Sequence, residues 1–171
     1  IASGANQIGQ AVSSLGSTLA IKLLSSTYAD DSTRGVYSHR LNHNQWLVGG
    51  ASNVGCAILR KLEFDTNELI ELSKQIDPDT DIDLNYYPLC NQGERFPIND
   101  ASKQPILEPI PTDRADYLKG ILQSIAYIEK KGYDVLLELG ADQVTEVITA
   151  GGGSTNKMWT AMRQRVLQVP T

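Results

Sequence analysis

The chain has 171 residues, of which 41% are hydrophobic and 20% charged, and its formal net charge is −5. This length and apolar content suit one compact core and argue against extended disorder. An acidic balance without a basic cluster argues against a nucleic-acid partner or an anionic membrane surface. No apolar run approaches the roughly 18 residues that a membrane-spanning helix needs.

The two cysteines lack the even, close spacing of a disulfide framework. We therefore interpret Cys56 and Cys90 as reduced thiols of a cytoplasmic protein, with a disulfide between them as the alternative. The first residue is Ile1, and no basic and then apolar segment follows it, so we expect this start to be neither an initiator methionine nor a signal peptide. We expect the chain to be a domain of a longer protein, truncated at both ends.

The first part of the chain predicts an antiparallel meander of short strands. The segments rich in β-branched or alternating apolar residues are 11–15, 18–24, 35–40 and 45–48. Gly16-Ser17 and polar stretches separate them, as is typical of hairpins.

Helical spacing follows the strands. Ser52 or Asn53 is available to cap the first helix, and Asp65 with Glu68 resembles a capping box that begins a second one. Residues 77–112 contain six of the seven prolines. They predict a long irregular segment, because proline cannot donate a backbone hydrogen bond.

A long amphipathic helix is expected to begin at Thr112 or Asp113. We expect Gly132 to bend or interrupt this helix, and Gly140 suits a left-handed cap at its end. A short strand over 144–150, a glycine turn and a last helix complete the chain. The predicted order is β-β-β-α-(irregular)-α-β-α, which is a mixed α/β sheet layered with helices.

Two glycine turns are the candidate binding elements. Gly151, Gly152 and Gly153 follow a predicted strand and would let a ligand approach the main chain, although they match no established phosphate-binding pattern. Gly16 and Ser17 lie in a predicted hairpin that can direct amides and hydroxyls at an anion. Each has an ordinary turn as its alternative, but two such turns in one chain favour a site for phosphates and a nucleoside.

Other groups give weaker signals. His39 and His43 lie four residues apart, but on a predicted strand and turn, so we expect no metal site there. Glu94 and Arg95 are interpreted as an ion pair that stabilises a loop. No serine lies in a G-x-S-x-G elbow, and neither cysteine has an activating histidine nearby in sequence, so no hydrolase site is predicted.

Several segments, taken together, resemble the C-terminal domain of the FGGY family of carbohydrate kinases. The segments that carry the resemblance are Val12-Ser13-Ser14-Leu15-Gly16-Ser17-Thr18 (the S-L-G-T phosphate turn), Gly49-Gly50-Ala51, Gly93-Glu94-Arg95-x-Pro97-x-x-Asp100, Arg114-Ala115 and Gly151-Gly152-Gly153-Ser154-x-Asn156-x-x-Trp159 (the adenosine motif). Their order and spacing extend over residues 11–170.

The resemblance implies an actin-like, ribonuclease-H-like ATPase fold, an α/β domain with a mixed sheet, an initial antiparallel meander and flanking helices. It also implies transfer of the γ-phosphoryl group of ATP to a sugar hydroxyl, with Mg²⁺. The residues that it assigns to the nucleotide are Gly16 and Ser17 at the phosphates, Gly151, Gly152 and Gly153 at the adenosine, Asn156 at the nucleoside, and Gly50 near the nucleotide. The first turn and residues 46–60 are most similar to pentulose kinases, of the D-ribulose or D-xylulose kind.

One departure concerns the catalytic base. The family has an aspartate in a G-x-x-D segment shortly before the S-L-G-T turn, whereas Gly4-Ala5-Asn6-Gln7 contains no acid. We expect the aspartate upstream of Ile1; the alternative is an inactive relative in which Asn6 replaces it. No catalytic residue is therefore assigned within the chain.

The resemblance also implies that the sugar binds between this domain and an N-terminal domain that the chain lacks. Half of a cleft cannot position the acceptor, so we expect the chain alone to have no kinase activity. The competing function is a non-catalytic, actin-like nucleotide-binding module. The oligomeric state stays open, a homodimer included.

Overall fold

The structure, a computed structural model, describes residues 4–171. The strands are β1 (Gln10–Leu15), β2 (Leu19–Ser25), β3 (Tyr37–Asn42), β4 (Gln45–Ala51) and β5 (Glu146–Ala150). The helices are α1 (Ala57–Lys61), α2 (Thr66–Ser73), α3 (Arg114–Glu138) and α4 (Lys157–Leu167), with a 3₁₀ turn at Gly152–Thr155. Within residues 4–171, every helix is too short or too polar to cross a bilayer.

The five strands form one mixed sheet in the order β3-β4-β2-β1-β5. β5 pairs with β1 in parallel, and the other neighbours are antiparallel. The sequence predicted antiparallel neighbours correctly, but β4 returns beside β2, so the strands do not follow chain order as in a meander. The predicted order was also wrong in giving three strands before the first helix instead of four.

Burial explains the position of β3. This strand, with the sequence YSHRLN, is exposed at five of its six residues, whereas three consecutive residues of β4 are buried. The polar strand therefore lies at the edge of the sheet, and the more apolar β4 takes the inner position, because an inner strand is covered by neighbours on both sides.

The predicted helix starts are partly confirmed. Asp65 caps α2 by accepting from the Glu68 amide, and Asp113 caps α3 by accepting from the Ala115 amide. The expected cap of α1 is wrong, because its N-cap is Cys56 and no side chain bonds there. Both cysteines are free thiols, as predicted.

Helix α3 continues through Gly132 without interruption, contrary to the sequence-based expectation. A Cβ atom on Gly132 would lie 2.7 Å from the Phe96 ring and 2.9 Å from Ile21 Cδ1. The glycine therefore allows close packing between the helix and the sheet. Gly140 has φ of 89° directly after the helix, so the predicted left-handed cap is confirmed.

Glu94 holds the irregular segment against the sheet. Its carboxylate is buried at 2% exposure and accepts from Ser52 Oγ (2.7 Å), the Asn53 amide (2.6 Å), Tyr87 Oη (3.1 Å) and the Arg95 amide (2.8 Å). Burial, and then the Glu94 charge, raise the pKa of Tyr87. The predicted Glu94–Arg95 ion pair is wrong, because within residues 4–171 Glu94 contacts only uncharged donors.

Candidate functional site

The two glycine turns lie side by side at one end of the sheet. β1 and β5 run parallel, and the last pair in register is Ser14 with Ala150, so the turns that follow leave the sheet together. A Cβ atom on Gly151, which has φ of 88°, would lie 2.7 Å from the Leu15 carbonyl oxygen. Only glycine permits this contact without strain. The two turns therefore form one surface.

The first turn is fixed from below by the segment that begins α1. The carbonyl of Gly16 accepts from the Cys56 amide (2.9 Å), and the carbonyl of Ser17 accepts from the Ala57 amide (3.2 Å). Gly55 lies directly beneath, where a Cβ atom would be 2.5 Å from Thr18 Cα. The turn's carbonyls therefore point into the protein.

The opposite side of this turn is open to solvent. Ser17 and Thr18 are exposed, and within residues 4–171 their backbone amides donate to no other group. Arg60 Nη2 lies 3.5 Å from Ser17 Oγ. Exposed amides, hydroxyls and a guanidinium are the donors that phosphate oxygens accept.

The sequence segments that carry the two turns contain no acidic residue. The sequence contains 20 Asp and Glu residues, yet 1–29 and 147–171, the segments that carry the turns, contain none. The turns therefore carry no carboxylate of their own, although the whole chain is acidic.

The second turn continues into α4 through Asn156. Asn156 Oδ1 accepts from the Trp159 amide (3.1 Å), and Nδ2 donates to Ser73 Oγ (2.9 Å), which joins the N-terminus of α4 to α2. These two bonds were not predicted, although a polar residue before a helix is a recognised signal for a cap. The contact of Asn156 with a nucleoside stays a prediction.

Two further residues singled out in the sequence, Gly50 and Asn6, lie away from the two turns along the chain. Gly50 is buried in β4, where a Cβ atom would lie 2.3 Å from the Phe96 ring, and its approach to the nucleotide stays a prediction. Asn6 precedes β1, whereas Gly16 follows it. The six residues of β1 separate the two positions by roughly 17 Å, and the alternative that Asn6 replaces the catalytic aspartate stays a prediction.

A buried polar cluster below the turns was missed by the sequence reasoning. Arg163 and Glu129 form a bidentate ion pair with two N–O distances of 2.7 Å, and both residues are 0% exposed. Arg163 also donates to Thr149 Oγ1 (2.8 Å), and Ser13 Oγ donates to Glu129 Oε1. The available signal was helical spacing, since each charge lies four residues after a buried apolar residue of its own helix.

Known proteins share both the sequence pattern and the fold. Residues 11–170 match the C-terminal domain of the FGGY family of carbohydrate kinases. A xylulose kinase from Brucella ovis superposes with a TM-score of 0.80 at 21% identity, covering 95% of this chain and 34% of its own. A gluconate kinase from Lactobacillus acidophilus gives 0.77 at 15% identity, covering 94% and 34%.

Plasmodium falciparum glycerol kinase, solved with ADP, superposes with a TM-score of 0.72 at 17% identity, covering 95% of this chain and 34% of its own. The chain thus spans about a third of the length of these structures. Its mixed sheet with flanking helices is the ribonuclease-H-like, actin-like ATPase fold, as predicted. Because the family match covers nearly the whole chain, the protein belongs to the FGGY family of carbohydrate kinases through its C-terminal domain.

Proposed function

We propose that this chain is the nucleotide-binding domain of an ATP-dependent pentulose kinase, acting on D-ribulose or D-xylulose. The phosphates of ATP lie against Gly16 and Ser17, and the adenosine lies along 151–153. The observation that carries the proposal is the contact between these two turns, at which Gly151 meets the Leu15 carbonyl. A molecule with a phosphate chain at one end and a base at the other can lie across both turns.

The local chemistry supports an anionic ligand at the first turn. Free amides at Ser17 and Thr18, the Ser17 hydroxyl and Arg60 offer donors, and no nearby part of the sequence supplies a repelling carboxylate. Gly152 leaves open space at the second turn, since a Cβ atom there would meet nothing within 4 Å. The glycerol kinase neighbour was solved with ADP, which favours the same class of ligand.

The sugar is proposed from sequence likeness to pentulose kinases. Several structural neighbours are xylulose kinases, whereas others are gluconate and glycerol kinases. The sugar and the aspartate that accepts its hydroxyl proton are assigned to an N-terminal domain and its junction with this one. Within 1–29 and 147–171, the segments that carry the two turns, the sequence offers no acid for that role.

Mg²⁺ is proposed as the counter-ion of ATP. Residues 4–171 contain no group of three or more side chains from His, Cys, Asp and Glu that could hold a metal. Mg²⁺ prefers carboxylate and phosphate oxygens, and the segments of the two turns contain no carboxylate. In this proposal the two turns contribute hydrogen-bond donors to the nucleotide, and Mg²⁺ is bound through the phosphate oxygens.

The test uses the full-length protein with ATP and a sugar panel of D-ribulose, D-xylulose, gluconate and glycerol. We expect ADP release that depends on a pentulose. ATP binding without ADP release for any sugar would instead favour the non-catalytic nucleotide-binding module.

Gly152 gives a site-specific test of where the nucleotide lies. In the series Gly152→Ala and Gly152→Leu, we expect the KM for ATP to rise with side-chain size, because the new atoms occupy the space assigned to the adenosine. The melting temperature and the KM for the sugar should change little, since the position has open space around it. An unchanged KM for ATP in Gly152→Leu would contradict the proposed site.

A further inference from the structure

The buried cluster around Glu129 and Arg163 joins the two strands that carry the turns. Arg163 binds Thr149 of β5, and Glu129 accepts from Ser13 of β1. Ser13 and Thr149 are register partners in the parallel pair, one step before its last pair. The ion pair therefore bridges the sheet close to the point where both turns begin.

Helices α3 and α4 hold the cluster from the other side. Glu129 belongs to α3 and Arg163 to α4, and both are fully buried. Tyr133, also on α3, places its hydroxyl 2.8 Å from Ser13 Oγ, and burial raises the pKa of Tyr133. Two helices and two strands thus meet through directional hydrogen bonds rather than through apolar contacts alone.

Stability alone does not account for a buried ion pair at this place. Removing two charges from water costs several kcal/mol per ion, and well-packed apolar residues are often as stable or more stable. A hydrogen-bonded pair instead fixes geometry, because a one-residue change of register moves each side chain to the other face of the sheet. Register between β1 and β5 decides how Gly16 and Gly151 face each other.

We propose that the Glu129–Arg163 pair, through Ser13 and Thr149, is a positioning device that fixes the spacing between the phosphate turn and the adenosine turn. It lets one ATP molecule bind both turns at once. These residues touch no ligand and act only through the turns. The proposal rests on the proposed function, because the spacing matters only for a ligand that binds both turns.

The test uses the full-length protein and neutral variants, since truncating Glu129 or Arg163 would leave an unpaired buried charge. Ser13→Ala and Thr149→Val each remove one anchor and leave the ion pair in place. Binding is measured for ATP, which spans both turns, and for adenosine and tripolyphosphate, which each reach one. We expect the Kd for ATP to rise about fivefold, while the Kd values of the two fragments change less than about twofold.

Ser25→Ala is the matched control. Ser25 is fully buried in β2 and bonds to Asp142 (2.9 Å) at the opposite end of the sheet. We expect Ser25→Ala to lower the melting temperature about as much as Ser13→Ala and Thr149→Val do, while leaving the affinity for ATP unchanged. A general loss of stability would therefore not reproduce the effect of the two anchor variants.

The outcomes separate the inference from the function on which it rests. If the unmodified protein does not bind ATP, the proposed function fails, and the inference fails with it. If the unmodified protein binds ATP, and the anchor variants have the same Kd values as that protein for all three ligands, the positioning role alone is overturned. Equal weakening of ATP, adenosine and tripolyphosphate also overturns it, because that pattern indicates general loosening.

Discussion

Lys22 lies beside Gly49 of the neighbouring strand, and the absence of a side chain there leaves room for the lysine. Its register partner in β4 is Gly49, which is also paired with Tyr37 of β3. The Lys22 chain crosses over the glycine and places Nζ 3.5 Å from the centroid of the Tyr37 ring. Within residues 4–171, Nζ is buried without a hydrogen-bond partner. Desolvation by this burial lowers the pKa of Lys22 to about 8.

This arrangement predicts a pH-dependent stability. Between about pH 8 and pH 10.5, the folded chain binds fewer protons at Lys22 than the unfolded chain, whose lysine keeps the ordinary pKa of 10.5. The contribution of Lys22 to the free energy of unfolding therefore rises with pH across this window and is level below it. Urea unfolding of the wild type and of Lys22→Met, from pH 7 to pH 10.5, measures the difference. A constant difference between the two proteins across that range would contradict the prediction.

At the scale of single residues, sequence reasoning found the turns but not their partners. Gly16 and Gly151 were recognisable because glycine beside a strand is a strong local signal. Two of the four donors of Glu94 come from the residues directly after β4, and the other two come from within the irregular segment. Such partners are brought together by tertiary packing, so an adjacent pair such as Glu94 and Arg95 suggested an ion pair that does not form.

At the scale of elements, the Phe96 ring separates α3 from the sheet. It is 1% exposed and lies against two glycines, Gly50 of β4 and Gly132 of α3, where added Cβ atoms would lie 2.3 Å and 2.7 Å from the ring. Both glycines provide room for one aromatic side chain. The sequence shows each glycine, but it does not show that both lie against the same ring, because that contact depends on tertiary packing.

Gly132→Ala tests this packing. Alanine favours a helix over glycine by about 1 kcal/mol, but overpacking a core costs about 1–3 kcal/mol, so we expect a net loss of stability. In a Phe96→Leu background the same change should cost less, because the smaller side chain makes room for the new methyl group. A double-mutant cycle by urea unfolding measures the coupling. Equal costs in the two backgrounds would show that the ring does not limit this position.

Element type and position were more predictable than strand order. Helical periodicity and caps located α2 and α3, and alternation located the strands, because both signals are local. The placement of β4 beside β2 depends on which strand the rest of the chain covers. Strand order therefore depends on packing between whole elements, which local sequence signals do not report. For this reason the predicted meander followed chain order, whereas the sheet does not.

At the scale of the whole molecule, the proposed function assigns nucleotide binding and phosphoryl transfer to different parts of the protein. This chain brings two glycine turns together and supports them with a buried cluster. Phosphoryl transfer also requires an acceptor and a base held in line with the γ-phosphate. The segments that carry the turns contain no acid, and the chain spans about a third of its structural neighbours.

We therefore expect the 171-residue chain, expressed alone, to bind ATP without transferring its γ-phosphoryl group. Calorimetry with ATP serves as the control that the chain is folded and its turns are formed. Coupled detection of ADP, with and without D-ribulose or D-xylulose, measures transfer, and the full-length protein is run in parallel. The expected result is ADP release that depends on sugar for the full-length protein and none for the chain. Sugar-dependent release by the chain alone would mean that acceptor and base both bind within this domain, and it would overturn the assignment of these roles to an N-terminal domain.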